Sequence, residues 1–496
     1  MDLATSGYRS SHRGGSHGGR GEGIMDLTVG GYRVNIFGST ILFPLPFPAS
    51  HINPMLQLAN ILHTKGFSIT IIHTNFNSHN FNPSAHPHFT FISIPDGLSE
   101  SEAATNNILH LFSLLNVKCV EQFRECLASL LSADANSEEP IACLISDAIF
   151  HFTQPVAESL KLPRLALETM GATCTAVYYA FPLLRERGYL PIQDYRLEEL
   201  VKELPPLKVK DLPVVKGCDA DKYFEFIVYL LSITQASDGL IFNTFEDFEE
   251  TPLAKIRHEY LPNTPIFPIG PFHKYSPSPS SNSLLSQDQS CISWLNTQAP
   301  KSVVYVSFGT VAKMEEAQFL EIAWGLCNSN QPFLWVVRPD LVHGLNCLEQ
   351  LPSGFVETLN GRGHIVKWAP QKEVLAHLAV GAFWTHNGWN STFESVCEGV
   401  PMICTPSFAD QMVLARYASE VWKVGLQIED GIERGVIEKA IRRVMVEKEG
   451  EEMRHRALKL MEKANLCLKQ GGSSNQSLDG LVKHILSFKP FGVLQE

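Results

Sequence analysis

A chain of 496 residues is longer than one ordinary domain and predicts two domains of about 200 residues or more. Its 44% hydrophobic and 19% charged residues are typical of a globular protein, and its net charge of −12 argues against general nucleic-acid binding, which needs basic surface. The 11 cysteines include no CxxC pair, and no apolar run reaches the roughly 18 residues that span a bilayer. The N-terminus shows no signal-peptide core, so we expect a cytoplasmic protein with reduced thiols and no membrane insertion.

The first 33 residues are rich in Gly, Ser, Arg and His and poor in apolar side chains. Such a composition cannot bury enough apolar surface to fold, so residues 1–33 are predicted to be a disordered extension. Within it, "MDLATSGYR" at Met1 is echoed by "MDLTVGGYR" at Met25, a short duplication to which we assign no role.

The first ordered element is predicted in "STILFPLPF" (Ser39 to Phe47), a β-rich apolar run. Asn53-Pro54 then predicts a helix start with proline at the first helical position, where its missing N–H costs nothing, and the helix stops at Gly66. A second strand follows in "FSITIIHT", and this βαβ pattern is typical of a doubly wound parallel sheet. With further buried strands in "IACLISDA" and "DGLIFNTF", residues 34–270 are predicted to be one Rossmann-like domain.

A segment from Gly270 to Gln287, "GPFHKYSPSPSSNSLLSQ", is rich in Pro and Ser and predicts a linker over residues 271–290. Strands and helices then alternate again in "SVVYVSFGT", "EEAQFLEIAWGLC" and "PFLWVV", so residues 291–472 are predicted to be a second Rossmann-like domain. Residues 473–496 are expected to pack back on the first domain. Since ligands of such α/β sheets bind beyond the carboxyl ends of the strands, a cleft between the two domains is expected.

One corner of the second domain, "FWTHNGWNSTFESVCEGVP" from Phe383 to Pro401, groups aromatic, acidic and hydrogen-bonding side chains. A strand is predicted to end at Thr385, Gly388 permits a tight turn, and Ser391-x-x-Glu394 has the form of a capping box that opens a helix. The unpaired amides of such a helix start are an anion site suited to phosphate, to which His386 could donate a further hydrogen bond. An ordinary capped helix fits the same residues, and Glu394 could cap the helix, bind a ligand hydroxyl, or do both.

The wider segment from Trp368 to Gln411 decides between these interpretations. Its sequence, "WAPQKEVLAHLAVGAFWTHNGWNSTFESVCEGVPMICTPSFADQ", closely resembles the signature box of plant family-1 UDP-dependent glycosyltransferases, with nothing inserted or lost. "HINPMLQLANIL", "PPLKVKDLP", "GLIFNTFEDFE" and "YVSFGTVA" resemble the same family in the expected order, and only about the first thirty residues lie outside the resemblance. The resemblance implies the GT-B fold, in which two Rossmann-like α/β domains face each other across a cleft.

The resemblance also implies how the donor is divided among the box residues. Trp368 would stack on uracil, with the backbone of Ala369 reading the edge of the base. The residues expected to bind the remainder of the UDP-sugar are Gln371 and Glu394 for the ribose, His386, Gly388, Asn390, Ser391 and Thr310 for the diphosphate, and Thr169, Trp389, Asp410 and Gln411 for the sugar. A glutamine at the last box position is associated in the family with glucose, so UDP-glucose is the expected donor, with xylose or galactose as alternatives.

Two residues at strand ends of the first domain suggest a catalytic base. His51 follows the first strand and Asp147 ends a buried strand, and a carboxylate that accepts from one imidazole nitrogen leaves the other free as a base. By itself Asp147 could equally cap the next helix. In the family, the positions that match His51 and Asp147 form this dyad, which implies an inverting transfer to a hydroxyl or nitrogen of a small hydrophobic plant metabolite such as a terpenoid or phenolic.

The acceptor side departs from the family in two places. The residue before the catalytic histidine is usually glycine, whereas this chain has Ser50, and Glu168 places an acid beside Thr169. Both are expected at the acceptor pocket, together with His151. The resemblance is strongest to the branch that includes steviol glycoside and cytokinin glucosyltransferases, which spans several acceptor classes. The protein is expected to be a monomer and to need neither a metal nor a cofactor.

Four rival functions have weaker support. Asp219-Ala220-Asp221 has the DxD pattern of metal-dependent transferases but follows no predicted strand. The serine-hydrolase motif GxSxG occurs only as "GGSHG" at Gly14, in the predicted disordered extension. The first βα turn lacks the glycines of a dinucleotide-binding dehydrogenase. The fourth rival function is that of a UDP-sugar-binding relative with little turnover. It stays open because Ser50 replaces the family's usual glycine beside His51.

Overall fold

The structure, a computed structural model, describes residues 27–29, 32–34, 39–45, 49–78, 83–105, 108–134, 139–215, 217–275, 287–339, 341–342, 351 and 354–488. Contacts divide the chain into a short unit, Met1–Ile36, and one large compact unit, Phe37–Glu496. In the short unit, strands β1 (Leu27–Val29) and β2 (Tyr32–Val34) pair antiparallel. This pair overlaps the end of the extension predicted to be disordered, and the rest of residues 1–33, including "GGSHG", lies outside the described residues.

Two parallel sheets organise the large unit. The N-terminal half contains β3 (Thr40–Pro44), β4 (Ser68–Thr74), β5 (Phe89–Ile94), β6 (Ile141–Asp147), β7 (Arg164–Glu168), β8 (Gly239–Phe242) and β9 (Ile266–Pro268), in the spatial order β5-β4-β3-β6-β7-β8-β9. The C-terminal half contains β10 (Val303–Ser307), β11 (Phe333–Val336), β12 (Gly363–Val366), β13 (Val380–Thr385), β14 (Met402–Cys404) and β15 (Gly425–Gln427), in the order β12-β11-β10-β13-β14-β15. Both orders reverse beside the first strand of the sheet, which is the doubly wound topology that the sequence predicted.

Helices connect and cover these strands. Those of the N-terminal half are α1 (Ala49–Thr64), α2 (Glu100–Ala103), α3 (Ile108–Lys118), α4 (Val120–Asp134), α5 (Thr153–Ser159), α6 (Ala172–Tyr179), α7 (Phe181–Glu186), α8 (Ala220–Gln235) and α9 (Glu250–Lys255). Those that follow are α10 (Ser290–Leu295), α11 (Glu316–Asn328), α12 (Phe355–Thr358), α13 (Gln371–Leu375), α14 (Trp389–Cys397), α15 (Asp410–Arg416), α16 (Arg434–Met445), α17 (Lys448–Cys467) and α18 (Ser473–Ser487). None of the helices in the described ranges is long and apolar enough to cross a membrane.

Helix α1 begins earlier than the sequence predicted. It starts at Ala49, so Pro54 is an interior residue and His51 lies in the first turn instead of in a loop. The prediction of Pro54 as the first helical residue is therefore wrong. A proline at the sixth position removes one intrahelical hydrogen bond, and the bond it removes is the one to the carbonyl of Ser50.

The two halves share one continuous apolar core. It joins residues of α6 and the segment after β8, such as Val177 and Phe245, to residues of α14 and α15, such as Phe393 and Leu414. The last helix, α18, returns to the N-terminal sheet: Asp479 accepts from Lys65 at 3.0 Å, and His484 lies 2.8 Å from the carbonyl of Asp238. The predicted linker falls largely outside the described residues, with α10 beginning at Ser290.

Candidate active site

The first strands and helices of the N-terminal half bring His51 and Asp147 into contact. Asp147 is the last residue of β6 and 1% exposed, and its Oδ2 lies 2.8 Å from Nδ1 of His51, which is 23% exposed. The other carboxylate oxygen accepts the amide of Ile149 at 2.9 Å. Since a carboxylate only accepts hydrogen bonds, Nδ1 carries the ring proton and Nε2 carries the lone pair. This is the geometry of a general base held by an acid.

Thr169 shares the same ring nitrogen. Thr169 is the first residue after β7, and its Oγ1 lies 2.9 Å from Nδ1 of His51. Burial of the ring lowers the pKa of His51, but the charge and hydrogen bond of Asp147 and the charge of Asp410 outweigh it, so the pKa lies above the usual 6.5. The ring of Phe112 packs edge-on against His51 at a centroid distance of 5.8 Å and forms an apolar wall beside the base.

Helix α14 starts two residues before the predicted cap. Gly388 is its N-cap, with extended backbone and no side-chain capping hydrogen bond, and Trp389 is its first residue. The predicted capping box is therefore wrong: Ser391 and Glu394 lie inside the helix, and Glu394 binds another side chain. The consequence is that no side chain closes this helix start, so its first amides are available to an anion.

His386 stands at this open helix start, between two glycine turns. A Cβ on Gly309, after β10, would come within 2.5 Å of its ring, and one on Gly388 within 2.7 Å, so only glycine permits the ring at both places. Burial, with the charge of Arg338, lowers the pKa of His386 to about 4, so the imidazole is neutral at physiological pH. Thr310 follows Gly309 in the same turn and is half-buried.

A hydrogen-bonded group joins the predicted ribose residues. Nε2 of Gln371 donates to Oε2 of Glu394 at 2.8 Å and to Oγ of Ser391 at 3.2 Å, and Tyr305 donates to Oε1 of Gln371 at 3.3 Å. Burial raises the pKa of Glu394. Trp368 and Ala369 lie between β12 and α13, the former half-buried and the latter buried. The structure therefore brings the predicted uracil and ribose residues to one edge of the second sheet.

The side chain of Trp389 is buried and contacts both halves of the protein. The indole is 3% exposed, stacks on Phe393 at 5.1 Å and donates from Nε1 to the carbonyl of Asn243 at 3.2 Å. Gly171 packs directly against the indole, because a Cβ at position 171 would lie only 2.5 Å from it. The Trp389 side chain therefore joins the two halves of the protein, and the sugar contact of Trp389 stays a prediction.

Asp410 and Gln411 open α15 opposite the dyad. Asp410 is half-buried, and burial raises its pKa to about 6, with the charge of His51 acting in the opposite sense. Oε1 of Gln411 accepts the amides of Ser407 at 2.9 Å and Phe408 at 3.3 Å, and its Nε2 takes no part in these two bonds. Ala409, just before them, has a φ of 52°, a strained value for a residue with a side chain.

The predicted acceptor residues are spread more widely. Ser50 adjoins His51, and its carbonyl accepts from Nδ2 of Asn390 at 2.8 Å. Glu168 is 4% exposed, and burial, with the charge of Asp147, raises its pKa to about 8. Its carboxylate lies close enough to His51 for the charges of the two side chains to act on each other. The contact of Glu168 with an acceptor stays a prediction.

His151 lies against α8, where its ring packs edge-on against Tyr229 at 5.1 Å. Burial lowers its pKa to about 4. Within the described ranges, no hydrogen bond or ring contact links it to His51. The DxD carboxylates are engaged as well: Asp219 caps α8 by accepting from Lys222, and Asp221 pairs with Arg185 at 2.6 Å.

Two contributors to the site were absent from the sequence predictions. Arg338 follows β11, is 3% exposed and donates from Nε to the carbonyl of Gly309 at 3.0 Å, which places a guanidinium behind the turn of Gly309 and Thr310. Its signal in the sequence is a basic residue at the carboxyl end of a buried strand. Asn243 receives the indole of Trp389, and no local pattern could have indicated that contact.

Comparison with known proteins agrees with this geometry. The family model "UDP-glucoronosyl and UDP-glucosyl transferase" matches residues 279–459. UDP-glycosyltransferase 76B1 of Arabidopsis thaliana is 50% identical over 450 residues, which cover 90% of this chain and 98% of the relative. The flavonol 3-O-glucosyltransferase UGT76E12 of the same plant is 43% identical over 449 residues, covering 89% of this chain and 96% of the relative.

A solved structure has the same fold. UGT2 of Phytolacca americana, complexed with UDP-2fluoro-glucose and pterostilbene, matches with a TM-score of 0.76 and 26% identity, covering 91% of this chain and all of that one. The relatives and the two parallel sheets together identify the chain: it belongs to the UDP-glucoronosyl and UDP-glucosyl transferase family and is a plant-type UDP-dependent glycosyltransferase of the GT-B fold.

Proposed function

We propose that this enzyme transfers glucose from UDP-glucose to a hydroxyl or nitrogen of a small hydrophobic plant metabolite, such as a terpenoid or phenolic, with inversion at the anomeric carbon. The observation that carries the proposal is the 2.8 Å contact between His51 and Asp147. The carbonyl of Ser50, next to His51, accepts a hydrogen bond from Asn390, which lies in the segment that resembles the family's signature box. A base beside an open helix start is suited to a displacement that ends with a departing phosphate.

The proposed step is a single in-line displacement. Nε2 of His51 takes the proton of the acceptor O–H, the acceptor oxygen bonds to the anomeric carbon, and the bond from that carbon to the β-phosphate oxygen breaks. UDP leaves with the electron pair toward the first amides of α14. Because His386 is neutral, it stabilises the departing charge only as a hydrogen-bond donor, together with Ser391 and Thr310.

The donor assignment rests on the residues that open α15. Gln411 presents an amide N–H₂ and Asp410 a carboxylate, a pair that can bind neighbouring sugar hydroxyls as donor and acceptor. Relatives whose names include glucosyltransferase support glucose over xylose or galactose. The acceptor class is supported by the apolar wall of Phe112 beside the base and by the pterostilbene bound to the Phytolacca americana enzyme.

We further propose that the transfer needs no metal, since the carboxylates of the DxD segment are engaged in capping and in an ion pair. The displacement instead relies on helix amides to stabilise UDP. A cytoplasmic location is proposed as well, supported by ten free cysteines in the described residues.

The decisive experiment replaces the base. His51→Ala should lower the rate of transfer from UDP-glucose to a phenolic acceptor by about 100-fold or more, while the affinity for UDP changes less than about twofold. Mass spectrometry of the glucoside and calorimetry with UDP would measure the two quantities. Wild-type turnover in the His51→Ala variant would refute the base assignment, and a wild-type enzyme that turns over only another UDP-sugar would refute the donor assignment.

A further inference from the structure

Helix α1 carries both the proposed base and a proline that is costly at its position. Pro54 is the sixth residue of the helix, three residues after His51. In an α-helix, the amide of each residue donates to the carbonyl four residues earlier, so the residue that should donate to Ser50 is Pro54. Proline has no amide hydrogen, and the Ser50 carbonyl is therefore left without that partner.

The carbonyl left open in α1 is bound by the other half of the protein. Nδ2 of Asn390 donates to the Ser50 carbonyl oxygen at 2.8 Å, across 340 positions of sequence. Asn390 is the second residue of α14, next to the open helix start where UDP is proposed to depart. A single hydrogen bond thus links the turn that contains His51 to the turn that receives the diphosphate.

This bond is placed where small displacements matter for catalysis. Ser50 and His51 are adjacent in the first helical turn, so the position of the Ser50 carbonyl constrains the imidazole. The Asn390 side chain is half-buried, and its donor is directed at a backbone atom that no substitution of Ser50 removes. The presence of serine in place of the usual glycine therefore leaves this contact intact.

We propose that Pro54 is a positioning residue. Because it leaves the Ser50 carbonyl without a partner within α1, that carbonyl becomes the acceptor for Asn390. This hydrogen bond sets the distance between His51 and the donor. The proposal deepens the proposed function and rests on it. Pro54 touches neither substrate in this account and acts through the backbone of Ser50. The proline destabilises the helix, and it leaves the Ser50 carbonyl available for the hydrogen bond from Asn390 in the other half.

The test is Pro54→Ala in the full chain. Alanine restores an amide that can bond to the Ser50 carbonyl within the helix, so the melting temperature should rise while kcat falls by about tenfold or more, because misplacing a reacting group by 1 Å can cost about 100-fold. The affinity for UDP should change less than about twofold, since the donor site belongs to the other half. A gain in stability with unchanged kcat would overturn the proposal.

Pro252→Ala provides the matched control. Pro252 is the third residue of α9, in the first turn, where a missing amide frees no helix carbonyl. The same chemical exchange at this position should leave kcat unchanged. A loss of kcat in Pro252→Ala equal to that in Pro54→Ala would show a general effect of removing helix prolines and would also overturn the proposal.

A double-variant cycle separates this role from phosphate binding by Asn390. Asn390→Ala should lower kcat in the wild-type background by a larger factor than in the Pro54→Ala background, where the bond to Ser50 is already lost. If the kcat loss of the double variant equals the product of the losses of the two single variants, the shared hydrogen bond is refuted. Each kcat is expressed as a ratio to the wild-type kcat, measured with the UDP-sugar that the wild type turns over. A wild type inactive with UDP-glucose would refute the proposed donor, and the cycle could still be measured with the UDP-sugar that is turned over.

Discussion

His51 shows how one side chain is prepared by its neighbours. Its Nδ1 lies within hydrogen-bonding distance of Asp147 and of Thr169, and both contacts hold the ring without using Nε2. The carboxylates of Asp147 and Asp410 stabilise the protonated ring, which strengthens it as a base but means that it must first lose a proton to act.

We therefore expect activity to rise steeply from about pH 5 to beyond pH 6.5. Asp410, with a pKa of about 6, must be ionised to accept from the sugar, and His51, with its pKa above 6.5, must be neutral to take a proton. Below pH 6, kcat/KM should fall by about tenfold per pH unit for each required deprotonation. Initial rates at fixed ionic strength would measure the profile.

Asp147→Asn provides the control for that profile. Removing the carboxylate that raises the pKa of His51 should move the acidic limb to lower pH, with a lower plateau. An unmoved limb would show that His51 does not control it. His386, with its pKa of about 4, stays neutral across the same range and should not contribute to the limb.

At the scale of the elements, α6 and α14 meet at a contact that has no room for a side chain. Gly171 is the N-cap of α6, and its missing Cβ is the space filled by the indole of Trp389. The indole in turn stacks on Phe248 and Phe393, one from each half. The start of α14, and with it the anion site, is therefore held by packing against the N-terminal half.

Gly171→Ala should consequently destabilise the protein. Its φ of −71° suits alanine, so the expected loss of about 1–3 kcal/mol in the free energy of unfolding comes from overpacking at Trp389. Chemical denaturation would measure it. Gly435→Ala in the first turn of α16 is the control, because a Cβ there meets nothing within 4 Å, and it should be neutral or stabilising. Equal stability of the Gly171→Ala variant and wild type would contradict this account.

Across the whole molecule, a buried ionic network joins the halves. Arg416, the last residue of α15, donates from Nε and Nη2 to both oxygens of Asp211 at 2.9 and 3.2 Å. Its Nη1 lies 2.9 Å from Glu429, which also binds Lys210 at 2.6 Å. Asp211 and Lys210 belong to a 3₁₀ turn of the N-terminal half, so the helix that opens with Asp410 is tied at its other end to the half that contains His51.

Arg416→Met should lower the free energy of unfolding by about 3–5 kcal/mol, because it leaves Asp211, which is 0% exposed, as an uncompensated buried charge. The double variant Arg416→Met/Asp211→Leu should recover most of that loss. Arg434→Met, at an ion pair where the arginine is 50% exposed, should lower the free energy of unfolding far less, because solvent screens that pair. Similar losses in the buried and exposed variants would contradict the prediction.

Local patterns predicted the strands well because each fully buried strand is a short apolar run with turn residues on both sides. They failed at two helix starts. Pro54 matched the preference for proline at the first helical position, yet tertiary packing starts α1 at Ala49. Ser391 and Glu394 matched a capping box, yet Gln371, distant in sequence, binds Glu394.

By itself, the sequence determined the α/β class, the two-sheet organisation and the residues at strand ends, because hydrophobic period and turn chemistry are local properties. The pairing of His51 with Asp147 was expected from the family resemblance. Only the tertiary structure decided which other residues meet: His51 with Thr169, Asn390 with Ser50, and Trp389 with Gly171. Each of those contacts joins residues more than 90 positions apart, where chain folding and shared burial set the distance and no sequence spacing can.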